Sequence, residues 1–121
     1  MEKDKQLLDS VAKAIYDKKG CNIMALDLRG ISTMTDYLVI GEGNVDRHVI
    51  ALGLNVLSTL RDHGLEPVGV EGLENGDWIV IDCGPMLIHL FMPDVREKFG
   101  LEKLWSKGKL VDLNFETLER V

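Results

Sequence analysis

The chain has little that would tie it to an oxidising compartment or to a membrane. Only two of its 121 residues are cysteines, Cys21 and Cys83, and they form no CxxC motif. Reduced thiols are the default for such usage, so we expect a cytoplasmic protein. No apolar run approaches the roughly 20 residues that a membrane-spanning helix requires. The first ten residues also have no apolar core of the kind found in signal peptides.

Basic residues are fewer than acidic ones. The sequence has 14 Lys and Arg against 20 Asp and Glu, which gives a formal net charge of -6. Nucleic-acid binding relies on Lys and Arg to neutralise phosphates, so direct binding to DNA is disfavoured. An acidic chain is better suited to approach a basic partner, because complementary potential steers the encounter.

No linker rich in Pro, Gly or Ser divides the chain, so we predict one domain over residues 1–121. The apolar residues of segments 3–19 and 45–63 recur at helical spacing, and Asn44 could cap the second helix. Strands are predicted at 22–28 and 36–42, and a short third helix at 93–99 begins with a proline. Segment 109–121 alternates only weakly and is treated as a C-terminal tail.

Residues 76–91 read as a β-hairpin that follows the turn signal Asn75-Gly76. Together with the segment VGVEG before it, this hairpin adds antiparallel strands to an arrangement that alternates strand and helix. The predicted fold class is therefore α/β, with a mixed β-sheet of about five strands flanked by helices.

The two faces of the hairpin differ in chemistry. One face is aliphatic, whereas the other carries Trp78, Val80, Asp82, Leu87, His89 and Phe91. A two-residue turn at Cys83-Gly84 would place Trp78 opposite His89, and a longer turn would shift the pairs but keep the faces. Large aromatic groups beside titratable groups are typical of interface anchors. Alternatively, Trp78 and His89 form a cross-strand pair that the chain's own helix covers.

The sequence shows no recognisable pattern of a catalytic site or of a metal site. Asp82 and His89 could form an acid–base pair, but no nucleophile joins them in a recognisable pattern. The segment GEGN at 41–44 lacks the Lys and Ser/Thr of a phosphate-binding loop. Asp27 has Arg29, not a second carboxylate, two residues on, and the three histidines lack metal-ligand spacing. We expect neither an enzyme nor a bound cofactor.

Several spaced motifs together resemble the iojap-like ribosomal silencing factors, over about residues 5–113. They are DYLVI at 36–40, RH at 47–48, EG at 71–72, Trp78, Asp82, HLF at 89–91, Arg96 and LEKLW at 101–105. The sequence departs from the family at Val45, at the turn Cys83-Gly84-Pro85 and at Lys98-Phe99-Gly100. These departures affect the details of a docking surface more than the fold.

The resemblance implies a shape related to nucleotidyltransferases without their catalytic motif. It also implies binding to the large ribosomal subunit through its universal protein numbered fourteen. Occupying that site would block joining of the small subunit and repress translation, notably when nutrients are scarce. The open alternatives are a nucleotide-binding or nucleotidyltransferase-like enzyme, and a homodimer that uses the same face.

The expected partner-binding residues come from the hairpin face, the turn before it and the segment after it. Arg96 could instead form a surface salt bridge with Glu102, and Leu101 and Trp105 could seal the core. The full set is Glu71, Asp77, Trp78, Asp82, His89, Phe91, Arg96, Leu101, Glu102 and Trp105.

Overall fold

The computed structural model describes residues 2–33, 35–100 and 108–113. In these segments the helices are α1 (Glu2–Asp17), α2 (Asp46–Asp62) and α3 (Pro93–Phe99). The strands are β1 (Cys21–Asp27), β2 (Tyr37–Glu42), β3 (Gly69–Glu71), β4 (Trp78–Asp82), β5 (Met86–Phe91) and β6 (Lys109–Leu110). None of the described helices is both long and apolar enough to cross a membrane.

The strands form one mixed sheet in the order β3-β4-β5-β2-β1-β6. β2 and β5 run parallel, and the other neighbouring strands are antiparallel. The predicted α/β class and mixed sheet are confirmed. Within the described residues the sheet has one strand more than expected, because Lys109 and Leu110 of the tail pair with the end of β1.

The aliphatic face of the sheet, here called the first face, is covered by α1 and α2. Helix residues such as Val11, Ile15, Leu52 and Val56 are fully buried against it, as their helical spacing predicted. The sheet contributes Val39, Ile79, Ile81, Ile88 and Leu90 to the same core.

The start of α2 differs from the prediction. Val45 occupies the N-cap position, and no side chain caps the helix. The backbone N–H of Asn44 instead donates to Nδ1 of His48 at 2.9 Å, so Asn44 is held by the helix and does not cap it. Because Nδ1 accepts, Nε2 of His48 carries the proton and donates to the Lys18 carbonyl at 2.7 Å. His48 thus joins the end of α1 to the start of α2.

The second face of the sheet carries a smaller apolar core. Its fully or largely buried members are Leu26, Leu28, Leu38, Ile40 and Phe91. α3 packs over this core through Val95 and Phe99. The helix begins at Pro93, and Gly100 ends it in the left-handed conformation, with φ 75°.

The β4–β5 hairpin has the longer of the two turns considered from the sequence. Asp82 lies opposite Leu87 and Trp78 opposite Phe91, which is the pairing of the longer turn and not the Trp78–His89 pairing of a two-residue turn. The physical reason is Pro85, which has no N–H to close a tight turn. Its carbonyl accepts the N–H groups of Asp36 and Tyr37 at 3.1 and 3.0 Å, which ties the loop to β2. The two faces of the hairpin keep the predicted composition.

Candidate partner-binding site

Four rings gather on the second face where β4, β5 and α3 meet. This aromatic cluster consists of Trp78, His89, Phe91 and Phe99. The ring centroids lie 4.9 Å apart for His89 and Phe99 and 6.3 Å apart for His89 and Phe91, the two extremes of the set. The planes are tilted or edge-on, an arrangement that favours contact between aromatic quadrupoles.

Solvent exposure differs strongly between members of the cluster. Phe91 is completely buried and His89 is 8% exposed, whereas Trp78 is 38% exposed. From the sequence, this face was expected to meet a partner, and the alternative was cover by the chain's own helix. The alternative describes Phe91 and His89, since Phe99 of α3 lies over both, whereas the ring of Trp78 borders solvent.

His89 is joined to Trp78 by a hydrogen bond. The indole Nε1–H donates to Nδ1 of His89 at 3.0 Å, which requires a lone pair on that nitrogen and places the ring proton on Nε2. Burial lowers the pKa of His89 to about 4, so the ring is neutral at physiological pH. Asp82 is not its partner, since the Asp82 carboxylate accepts the N–H of Gly84 in the turn at 3.0 Å.

Arg96 has a different role from the expected surface contact. Both Arg96 and Glu42 are buried, and their side chains form an ion pair at 2.8 Å. Nη1 of Arg96 also donates to the backbone carbonyl of Asn22 at 2.6 Å. The side-chain amide of Asn22 donates to the Glu42 carboxylate at 3.1 Å. This Glu42–Arg96 pair fastens α3 to β1 and β2. Arg96 therefore supports the second face from inside.

Two acidic residues lie near Trp78, one on the neighbouring strand and one directly before it in the chain. Glu71, on β3, lies opposite Val80 and shares its face, and Asp77 immediately precedes Trp78. Both side chains are exposed, and the Asp77 carboxylate accepts the Trp78 backbone N–H at 3.0 Å.

Gly72 lies against the Trp78 carbonyl, where an added Cβ would collide, and its φ of 89° suits glycine.

Leu101, Glu102 and Trp105, three of the expected contacts, lie outside the described residues. Sequence reasoning missed Phe99 as a cluster member, and Glu42 and Asn22 as partners of Arg96. Phe99 belonged to an apolar helix face, which is a usable signal. A carboxylate ending the fully buried strand β2 was the available signal for Glu42.

The carboxylate considered for metal chemistry is engaged elsewhere. Asp27 pairs with the Arg29 guanidinium at 2.7 Å, and this hydrogen bonding lowers the pKa of Asp27. The guanidinium in turn lies over the ring of Tyr37 at 5.3 Å. Within residues 2–33, 35–100 and 108–113, no three His, Cys, Asp or Glu side chains are grouped for a metal ion.

The family model described as "Ribosomal silencing factor during starvation" matches residues 1–120. The chain belongs to this family. It is 36% identical over 111 residues to the Bacillus subtilis ribosomal silencing factor RsfS, covering 92% of this chain and 94% of that one. Neither this name nor the family description indicates a catalytic function.

Two further similarities extend the comparison. A crystal structure of a family-related protein from Chromobacterium violaceum superposes with a TM-score of 0.80 at 31% identity, covering 86% of this chain and 87% of that one. A mouse protein named "Mitochondrial assembly of ribosomal large subunit protein 1" is 31% identical over 118 residues, covering 92% of this chain and 52% of its own length.

Proposed function

We propose that this protein binds the large ribosomal subunit and keeps the small subunit from joining it. Family membership over residues 1–120 carries the proposal, since it implies regulation of translation at the ribosome. In the finer form of the proposal, the contact is the universal large-subunit protein numbered fourteen. The Bacillus subtilis and mouse names support a ribosomal, large-subunit partner.

Trp78 is the proposed centre of the docking surface. Tryptophan is enriched among residues that dominate binding energy, and here its ring is partly exposed and packs against three other rings. The exposed carboxylates of Glu71 and Asp77 give the surroundings of Trp78, here called the acidic rim, a negative charge. Such a charge suits a basic ribosomal protein. Asp82, at the other end of β4, adds a further carboxylate to the same face.

The mechanism is steric and requires no chemical step. A domain seated on the subunit-joining surface excludes the small subunit for as long as it remains bound. Affinity then controls the outcome, because the two occupants compete for one surface. The ordered aromatic cluster favours affinity, since little side-chain freedom is lost when Trp78 docks.

Co-sedimentation with purified ribosomal subunits tests the proposal. In a sucrose gradient the protein should migrate with the large subunit and not with the small subunit. Preincubated large subunits should then form fewer joined ribosomes when small subunits are added. Absence of the protein from every ribosomal fraction, or undiminished joining by loaded large subunits, would contradict the proposed function.

A further inference from the structure

Trp78 is half exposed, yet its N–H points inward. An exposed indole can give its N–H to water, but here Nε1 donates to Nδ1 of the buried His89 at 3.0 Å. The contact is diagonal, because the residue directly opposite Trp78 is Phe91 and the one opposite His89 is Val80. The indole is therefore turned towards His89 by a specific bond, and strand register alone does not place it there.

We propose that His89 is a positioning residue: its Nδ1 holds the Trp78 indole in the one orientation that presents the ring to the ribosomal partner. This inference rests on the proposed function. His89 itself is covered and touches the partner only through Trp78.

Two further contacts complete the restraint. Phe99 meets the indole edge-on with centroids 5.5 Å apart, and it lies over the imidazole at 4.9 Å. The hydrogen bond fixes the rotation of the indole about its side-chain bonds, and the edge of Phe99 fixes its tilt. A ring restrained at both points binds without first losing rotamer freedom.

A buried neutral histidine could also serve packing alone, and the two roles have different signatures. A packing role needs only the volume of the imidazole. A positioning role needs an acceptor at Nδ1, which the side-chain oxygen of asparagine can supply at a similar place and leucine cannot. Loss of one hydrogen bond should then lower affinity by about fivefold.

The test combines the variants His89→Asn, His89→Leu and Trp78→Phe with binding to purified large subunits. We expect His89→Leu to weaken binding by about fivefold and His89→Asn to retain most of it. In the Trp78→Phe background, which has no indole N–H, adding His89→Leu should change nothing further, because the two residues act as one unit. His63→Asn, at an exposed histidine after α2, is the matched control.

A spectroscopic readout accompanies the binding data. The indole N–H signal that Trp78→Phe removes from the ¹H–¹⁵N spectrum should exchange slowly with water in the wild type, shift in His89→Leu and return towards its position in His89→Asn. Should His89→Leu fail to fold, His89→Phe replaces it, since phenylalanine also lacks an acceptor.

The outcomes separate the two proposals. If the wild type binds no subunit, the proposed function fails and the positioning role falls with it. If the wild type binds and His89→Leu binds equally well, the positioning role alone is overturned. The same holds if His89→Leu lowers affinity as much in the Trp78→Phe background as it does in the wild type. Fast exchange of the Trp78 indole proton in the wild type would also overturn it.

Discussion

Trp78 and His89 show how two neighbouring residues on one sheet face can have opposite relations to solvent. The indole borders water while the imidazole beneath it is sealed, although both belong to the same predicted surface. The difference comes from Phe99, which covers His89 and leaves one side of Trp78 open. At the scale of the residue, exposure was decided by a ring from another element.

Replacement of Trp78 by alanine should weaken binding to the large subunit. Truncating a central aromatic anchor costs about 2 kcal/mol or more, which is about 30-fold in Kd. The matched control is Leu54→Ala, an exposed apolar residue of α2 on the other side of the sheet. Titration of labelled protein with purified large subunits measures both. Equal affinity of a folded Trp78→Ala variant and the wild type would reject the surface assignment.

Stability should depend on pH through His89. Its pKa is about 4 when folded and 6.5 in the reference state, so the unfolded chain takes up the proton first as pH falls. The contribution of neutral His89 is thus complete above about pH 6.5 and is lost between there and about pH 4. The full loss is about 3 kcal/mol.

Urea unfolding of wild type and His89→Asn across this pH range isolates the effect. The unfolding free energy of the wild type minus that of His89→Asn should fall as the pH falls from about 6.5 to about 4. The contributions of carboxylates, which both proteins share, cancel in this difference. His63→Asn should follow the wild-type profile. A difference that stays constant from neutral pH to pH 4 would show that His89 is not held neutral by burial.

At the scale of the element, α3 is a seven-residue helix that covers part of the second face. Helices this short are marginal alone, so tertiary contacts must hold it. Val95 and Phe99 supply apolar contact, and Arg96 supplies the ion pair with Glu42 across two strands. The surface that Trp78 presents is therefore shaped by how firmly α3 is attached.

Removing the arginine should be costly. Arg96→Met leaves the Glu42 carboxylate buried without its partner, and we expect a loss of about 3 kcal/mol in unfolding free energy. Adding Glu42→Leu should restore part of it, because no unpaired charge then remains. Chemical denaturation measures both variants. If Arg96→Met costs no more than Lys13→Met, which breaks the solvent-accessible pair with Asp17, the buried pair does not hold α3.

At the scale of the whole molecule, the excess of acidic over basic side chains and the placement of Glu71 and Asp77 act together. In the proposed function, a net charge of -6 would attract a basic partner from a distance, and Glu71 and Asp77 would orient its approach. The packing of helices on the sheet also bears on where a partner can dock. α1 and α2 pack against the first face, and the proposed docking surface lies at the β4 end of the second face.

Association with the large subunit should therefore slow as salt rises. Between about 50 and about 300 mM monovalent salt, at constant magnesium, the association rate should fall by about tenfold. Glu71→Gln should reduce the rate more than Asp62→Asn, which removes one charge at the end of α2. Stopped-flow mixing measures each rate. Equal effects of the two substitutions would argue against an acidic rim at the docking surface.

Periodicity was enough to predict the long helices, the strands other than β6 and the composition of each hairpin face, because these depend on which residues recur along one element. Periodicity did not decide between the two turns considered for the hairpin, since the choice depends on Pro85, which has no N–H to close the shorter one. The Arg96 site was mispredicted for a similar reason. Its partner lies 54 positions away in the sequence.

Composition and pattern by themselves determined the α/β class, the acidic character, the aliphatic first face and the presence of Trp78, Asp82, His89 and Phe91 on the second. Only the tertiary structure decided which of those side chains reach solvent. Burial depends on what another element places above a residue, and a strand's own alternation carries no information about that cover. Here the cover is α3, and Trp78 lies at its margin.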